Sequence, residues 1–464
     1  MERGAAFFDL DRTILRGASG PVINHALAES GLIRGRQLPG QGVLFRVYDL
    51  IGETLPSMAL TRGAALMARG WSVDAVRKAG EVAAEGMLEL VTPYARPLLE
   101  DHRAAGRPLV LTTTTPLDLV VPLAEALGFD DVVATRYAAE DGVYTGGLAG
   151  EFVWGLGKLA AVRRWAEDHR VDLGASFAYT DSVYDFPLLS RVGHPFAVNP
   201  DPRLRALALL RRWPVLFLDV PPGVPKLAGL EPFDLLRQVA RPELFPFARF
   251  DIGPTDHIPA EGPVIVAANH RSYFDPVALA MAVVGSGRSL RFLGKKEVFD
   301  APVVGPLARA MGGIRVERGS GSDRPLREAA RLLSAGEAVA MLPQATIPRG
   351  RAFFDPHLTG KTGAARLAAM TGAPVVPVGL WGTERVWPRA ERMPRVANVV
   401  HPPTVRVRVG PPVRLGLTDA VADTEAIMAA ITRQLPAAAR RAREPSPEEL
   451  ALAVPSGHSA PADG

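Results

Sequence analysis

The chain has 464 residues, more than one ordinary hydrophobic core accommodates, so roughly two to four domains are expected. It contains no cysteine, which excludes disulfides and thiolate-bound metals and fits a reducing compartment. The net charge is only +4, yet the isoelectric point of about 9.5 reflects an excess of arginine, clustered at Arg203, Arg205, Arg211 and Arg212 and at Arg440, Arg441 and Arg443. A solvated helix face is the commoner reason for such clusters, and attraction to an anionic surface or an acidic substrate is the alternative. No zinc-finger spacing or basic–aromatic signature marks a nucleic-acid binder. No apolar run reaches the roughly 18 residues of a spanning helix, and Met1-Glu2-Arg3-Gly4 lacks the layout of a secretion signal. A cytoplasmic protein is expected.

Residues 1–212 alternate short apolar runs with helical stretches, the rhythm of an α/β domain. Ala5–Leu10, Pro108–Thr112 and Phe177–Thr180 read as buried strands ending in small or acidic residues, where open α/β sheets place ligands. Residues 17–92 interrupt the rhythm and read as a mostly helical cap. "FFDLDRT" sets Asp9 and Asp11 two apart at a strand end, so both carboxylates face one way. Such a pair suits a Mg²⁺ ion and divides work between a nucleophile and a general acid. "LVLTTTTP" then ends a strand in hydroxyls, "GLGKLAAV" supplies Lys158, and "FAYTDSVYDFP" supplies Asp181 and Asp185. An attacking oxygen, a metal, a cation and fixed donors are the parts that phosphoryl transfer needs.

In this order and spacing the four pieces resemble the haloacid dehalogenase superfamily, in its phosphoserine-phosphatase-like subfamily IB with a helical cap. The resemblance implies a Rossmann-like domain, with Asp9 as the nucleophile that forms an aspartyl-phosphate and Asp11 as general acid/base. It further implies that Thr113, with Thr112 and Thr114 as alternatives, binds the phosphoryl group and that Lys158 stabilises its charge. Mg²⁺ would be held by Asp9, Asp11, Asp181 and Asp185. Two features depart from the family. Thr180 stands where glycine is usual, and a β-branched residue there restricts the turn. The stretch Arg16-Gly17-Ala18-Ser19 has no acid to hold a substrate ammonium, which argues against phosphoserine. Cap residues Leu44, Phe45, Tyr48, Leu50 and Met58 suggest an apolar lining or the cap's own core.

Residues 213–250 are proline-rich and carry an amphipathic segment with Leu230, Phe233 and Leu236, a connector that either lies on a bilayer or packs on the next domain. Apolar runs resume in 251–440, a second α/β unit, and residues 441–464 read as a disordered tail after a short possible helix. "ANHRSYFDP" follows the run Val264-Ile265-Val266 and sets His270 five residues before Asp275. A carboxylate that fixes its tautomer makes histidine a general base. Without a serine or cysteine nucleophile, the pair suggests direct attack by an acceptor hydroxyl.

With "GGIRVERG", "MLPQATIPRG", "KTGAARLA" and "PVVPVGLWG", the His-x₄-Asp block resembles the glycerolipid acyltransferases that acylate lysophosphatidic acid, over about residues 250–415. The resemblance implies that His270 deprotonates a glycerol hydroxyl, Asp275 orients it, and acyl-CoA or acyl-carrier protein is the donor. Arg318 would grip the acceptor phosphate, with Lys295 and Lys296 assisting. Where the family reads Pro-Glu-Gly-Thr-Arg this chain has Pro343-Gln344-Ala345-Thr346-Ile347, with Arg349 two further on. Gln344 would offer its carbonyl to the acceptor's hydroxyls, Thr346 would line the same site, and Arg349 would supply the displaced guanidinium. The expectation is a bifunctional lipid enzyme held peripherally on the inner face of a membrane, its partners a lysophospholipid, an acyl donor and the membrane surface, with no nucleic acid. Two rivals fit the same residues: an acyltransferase with a non-catalytic phosphatase-like domain, and a small-metabolite phosphatase whose C-terminal domain docks on membrane.

Overall fold

The structure is a computed structural model that describes residues 3–33, 55–226, 229–239, 241–302, 304–317, 323–391 and 393–454. The chain divides into two compact units, Met1–Pro222 and Gly223–Gly464.

The first unit is built on a six-stranded parallel sheet. Its strands are β1 (Ala6–Phe8), β2 (Leu109–Pro116), β3 (Asp131–Thr135), β6 (Phe177–Thr180), β7 (His194–Val198) and β8 (Val215–Leu216), in the order β3-β2-β1-β6-β7-β8. β1 is apolar at every position because both faces of a parallel sheet are covered. Phe7 packs edge-on against Trp165 of the helix Leu156–Asp168, beside Val110, Val162, Ala178 and Leu204. The order reverses around β1, and ligands of open α/β sheets bind at the carboxyl ends of strands beside such a reversal. Asp9 ends β1 and Asp181 follows β6, so both stand at that switch point. A hairpin of β4 (Tyr137–Glu140) and β5 (Val143–Leu148) is bridged at Val143 to Ser72. The helices Gly20–Glu29, Leu55–Met67 and Val73–Glu89 occupy the stretch expected as a cap. Of the expected cap lining, Met58 is buried, and Leu44, Phe45, Tyr48 and Leu50 lie outside the described residues.

The second unit holds a seven-stranded sheet of β9 (Arg249–Ile252), β10 (Val264–Ala268), β11 (Leu290–Lys295), β12 (Ile314–Val316), β13 (Ala338–Met341), β14 (Val375–Trp381) and β15 (Thr404–Val409). Their order is β12-β11-β13-β10-β14-β15-β9. Only the β14–β15 pairing is antiparallel. β10 lies fully buried between β13 and β14, which brings the segments after these three strands to one end of the sheet.

Two boundaries differ from the sequence reading. In the stretch expected as a connector, β8 completes the first sheet, the units divide at residue 222, and the helix Pro232–Val239 buries Phe233 in the second unit's core beside Val266, Ala268 and Phe274. This helix packs, which is the second of the two expectations for it. Residues 455–464 of the stretch expected as a disordered tail lie outside the described residues, while its short possible helix forms at Pro447–Leu452. A reciprocal Ser446/Glu449 capping box starts it, and Ala453 packs on Ile347 and Phe353. A short polar sequence hides this because an apolar contact beyond its own length anchors it.

Candidate active sites

After β1 the chain stays extended at Asp9 and Asp11 and then turns at Arg12, whose φ of 55° lies in the left-handed region. Lys158, in the first turn of its helix, is buried to 1%; its Nζ lies 2.8 Å from Asp9 Oδ1 and 2.6 Å from Asp185 Oδ2. A buried ammonium needs paired carboxylates, and here one cation holds two. Asp11 Oδ1 accepts the Ser19 amide at 2.6 Å. Asp181 pairs with Arg12 at 3.3 Å, and its carbonyl accepts the amide of Asp201, whose own carboxylate accepts the Val183 amide. Asp9, Lys158 and Asp185 therefore form one cluster, while Asp11 and Asp181 are held on neighbouring loops.

The hydroxyl run resolves residue by residue. Thr112 Oγ1 donates to the Phe8 carbonyl and Thr114 Oγ1 to the Val153 carbonyl. Thr113 Oγ1 accepts the Thr115 amide, which leaves its hydroxyl hydrogen for another acceptor. The register of β2 on β3 shifts between Thr113 and Pro116, and such a bulge re-aims side chains at strand ends. Thr180, the departure from the family pattern, donates its hydroxyl to Asp185 Oδ2 at 2.6 Å. It sits in regular strand and adds a donor that glycine lacks.

Asp185 Oδ1 is buried with no hydrogen-bond partner among the described residues. A buried orphan carboxylate oxygen is costly unless a cation or donor meets it. Among the described residues no three acidic or imidazole side chains form a ready-made metal cage. Magnesium needs only one or two carboxylates, with waters and substrate phosphate completing its octahedron, and the all-oxygen donor set here fits it.

In the second unit His270 Nδ1 lies 2.8 Å from Asp275 Oδ2. The same oxygen accepts the amides of Arg271 and Ser272 at 2.6 and 2.8 Å, and Asp275 Oδ1 accepts Thr383 Oγ1 at 2.6 Å. Asp275 is fully buried and is an acceptor on every side, so the Nδ1 proton lies on the imidazole and the Nε2 lone pair is left free. The His270 side chain is 13% exposed. Asn269 bridges to both backbone groups of Leu380, and Ser272 Oγ donates to the Trp387 carbonyl, so both ends of the histidine loop are pinned to β14 and its sequel.

Gln344 differs from expectation. Its Oε1 accepts the His270 amide at 2.7 Å, because β13 and β10 are neighbours and their following residues meet. It positions the histidine backbone rather than offering that lone pair to an acceptor. Ala345 adopts φ 60°, the left-handed conformation that glycine takes easily and alanine does not. Thr346 and Arg349 are exposed on the same loop, and Arg318 lies outside the described residues.

Sequence reading missed Arg271, Thr383 and Glu384. The Arg271 guanidinium is clamped between the rings of Phe353 and Trp381, 4.3 and 4.2 Å from their centroids, and pairs with both oxygens of Glu384. The only available signal was "GTE" directly after a strand end.

A haloacid dehalogenase-like hydrolase family model matches residues 6–190, and an acyltransferase family model matches residues 249–381. The chain is 37% identical over 222 residues to the inhibition of morphological differentiation protein of Streptomyces azureus, a match covering 47% of this chain and 79% of that protein. It is 36% identical over 214 residues to phosphoserine phosphatase SerB1 of Mycobacterium tuberculosis, covering 46% and 70%. Among solved structures, the 1-acyl-sn-glycerophosphate acyltransferase PlsC of Thermotoga maritima is 23% identical, with 44% of this chain and 77% of that chain covered and a TM-score of 0.33. With its carboxylate–lysine cluster in one half and its histidine–aspartate dyad in the other, the chain belongs to the haloacid dehalogenase-like hydrolases and joins to that phosphatase domain a second domain of the acyltransferase family.

Proposed function

We propose that the enzyme transfers an acyl group from acyl-CoA or acyl-carrier protein to 1-acylglycerol 3-phosphate, giving phosphatidic acid, and hydrolyses a phosphomonoester in its other domain. The observation that carries the first activity is the bond from Nδ1 of His270 to the buried, fully bonded Asp275. Nε2 takes the proton of the glycerol hydroxyl as its oxygen attacks the thioester carbonyl. The tetrahedral adduct collapses by breaking the C–S bond, and the departing sulfur takes the proton back from Nε2. Asp275 keeps the ring oriented and stabilises the transient imidazolium, while Gln344 and Asn269 hold the loop that carries it. Arg349 and, by resemblance, Arg318 serve the acceptor phosphate, and Thr346 lines its approach. A guanidinium fork matches phosphate oxygens.

In the phosphatase domain Asp9 attacks phosphorus and the P–O bond to the leaving alcohol breaks, with Asp11 protonating that oxygen. Water then cleaves the aspartyl-phosphate to regenerate Asp9 and release phosphate. Lys158 and the Thr113 hydroxyl steady the phosphoryl charge. Of Asp9, Asp11, Asp181 and Asp185, one or two would hold Mg²⁺, and the ion would supply electrostatic stabilisation of the transferring group. The substrate we favour is a phosphorylated lipid related to the acyltransferase reaction. Removing phosphate from its product yields diacylglycerol.

Purified protein given lysophosphatidic acid, acyl-CoA and Mg²⁺ tests this. Phosphatidic acid is expected first and diacylglycerol later, the former lost in His270→Ala and the latter in Asp9→Asn. Phosphatidic acid formed at the wild-type rate by His270→Ala overturns the acyl-transfer mechanism.

A further inference from the structure

No helix among the described residues is long and apolar enough to cross a membrane. The helix Pro232–Val239, for which lying on a bilayer was one of two expectations, buries Phe233 in the core. A lipid acceptor must nevertheless leave a bilayer to reach His270. We propose that the loop 388–403, between β14 and β15, is the surface by which the acyltransferase domain docks on an anionic bilayer. This rests on the lipid-acyltransferase reading.

The loop leaves the end of the sheet that carries the dyad and is tied to both active-site segments. The Trp387 carbonyl that precedes it accepts Ser272 Oγ at 2.7 Å, and the Trp387 ring packs edge-on against Tyr273. Arg389 reaches back to the carbonyls of Ile347 and Pro348, beside Thr346 and Arg349. The Arg395 amide closes the loop on the Val386 carbonyl at 2.9 Å.

On this anchored base the loop turns its apolar side chains outward. Met393 and Val400 are 71% and 79% exposed, and Val396 and Val399 are 51% exposed each. Four such residues within eight positions, in a loop with no structural use for them, are not the scattered apolar atoms of an ordinary surface. Tyr273, packed on Trp387 where the loop begins, is also exposed, an amphipathic ring of the kind that settles at a membrane–water boundary. Arg389 is turned inward and Arg395 pairs with Glu391 at 2.6 Å, so the basic excess that the sequence 388–403 offers anionic headgroups rests on Arg392 and is modest beside the apolar side chains. The side chains protrude from a loop rather than a helix or strand, which favours insertion among acyl chains over capture of a partner helix. Docked in this way, the loop sets the mouth of the His270 site at headgroup level, where the acceptor's free hydroxyl and phosphate lie.

The test uses the full chain and the double variant Val399→Asp/Val400→Asp. Neither side chain is buried, so the fold is left intact, with circular dichroism as the control. Partition onto vesicles of phosphatidylcholine mixed with phosphatidylglycerol is followed by co-sedimentation, and acyl transfer is measured with a vesicle-embedded long-chain acceptor and a dispersed short-chain one. The expected result is a loss of about tenfold or more in vesicle partition and in turnover of the embedded acceptor, with the dispersed acceptor turned over as by wild type. Unchanged partition overturns the proposal. So does an equal loss on both acceptors, which would make the loop part of the site itself. Wild type that ignores vesicles but forms a concentration-dependent dimer lost in the variant assigns the loop to a second copy and also overturns it. Loop-dependent vesicle binding without acyl transfer to any lysophospholipid would sink the acyltransferase reading and leave the docking surface standing.

Discussion

In the phosphatase half, Lys158 is the buried charge around which Asp9 and Asp185 gather; in the acyltransferase half, Asp275 is the buried charge around which an imidazole, two amides and a hydroxyl gather. The difference follows from where the nucleophile comes from. A phosphatase that attacks with its own carboxylate must keep that group anionic inside a site that will also receive phosphate, so a cation has to be buried beside it. An acyltransferase that borrows its nucleophile from the acceptor needs a neutral base. The carboxylate behind the ring is met by an imidazole, amides and a hydroxyl rather than by a cationic side chain among the described residues. The first site is consequently fragile to loss of one cation, and the second to loss of one acceptor.

Lys158→Met exposes that contrast most strongly. It takes the shared ammonium away from two buried carboxylates, and destabilisation of the first unit by about 3–5 kcal/mol is expected in chemical denaturation, together with loss of phosphate release. Acyl transfer should persist wherever the second unit stays folded. Equal loss of both activities with both units folded would contradict the separation of the sites. Asp275→Asn is the counterpart. It presents a donor where four groups donate, turns the imidazole to the wrong tautomer, and should lower kcat for acyl transfer on the order of 10⁴-fold, the scale of the same change in a serine-protease triad. Phosphate release should be unaffected, and steady-state rates of both reactions check the pair.

Much of this was legible in the sequence. His270 and Asp275 are five residues apart, so local geometry brings them near, whereas Asp9, Lys158 and Asp185 were legible as ordered motifs that one sheet end gathers. What escaped is long-range. Gln344 meets the His270 amide only because β13 and β10 are neighbours, which no spacing encodes. Arg271 lies between two rings 82 and 110 positions away in sequence, and Thr383 closes on Asp275 from the far end of β14. Thr180 was read as an obstacle because its backbone restriction is visible in sequence and its hydroxyl's partner is not. The tail helix was legible only as a short possibility for the same reason, since its anchor, Phe353, lies about a hundred residues earlier.

A pH series sharpens the comparison at a buried imidazole behind the phosphatase strands. Burial, aided by Arg107, pushes His102 down to about 4, and Arg107 donating to Nδ1 leaves Nε2–H for Tyr179. The folded protein therefore keeps this ring neutral where the unfolded chain, with an ordinary value of 6.5, binds a proton. Stability of the first unit is full above pH 6.5 and should fall as pH drops toward 4, by up to about 3 kcal/mol. His102→Gln should flatten that slope in urea titrations, and an unchanged slope would remove His102 as its cause. The smallest effect is expected at Ala345. Ala345→Gly relieves a positive φ and should stabilise the second unit by about 1 kcal/mol without lowering acyl transfer. Destabilisation there would show that the alanine methyl has a packing role.

The central claim is that each half works through its own buried charge, and the most direct measurement is thiol release from acyl-CoA and phosphate release from a phosphomonoester in parallel, with Asp9→Asn and His270→Ala beside wild type. Loss of phosphate release alone in the first and of thiol release alone in the second is the predicted result. Thiol release at the wild-type rate from His270→Ala, or phosphate release at the wild-type rate from Asp9→Asn, would contradict it.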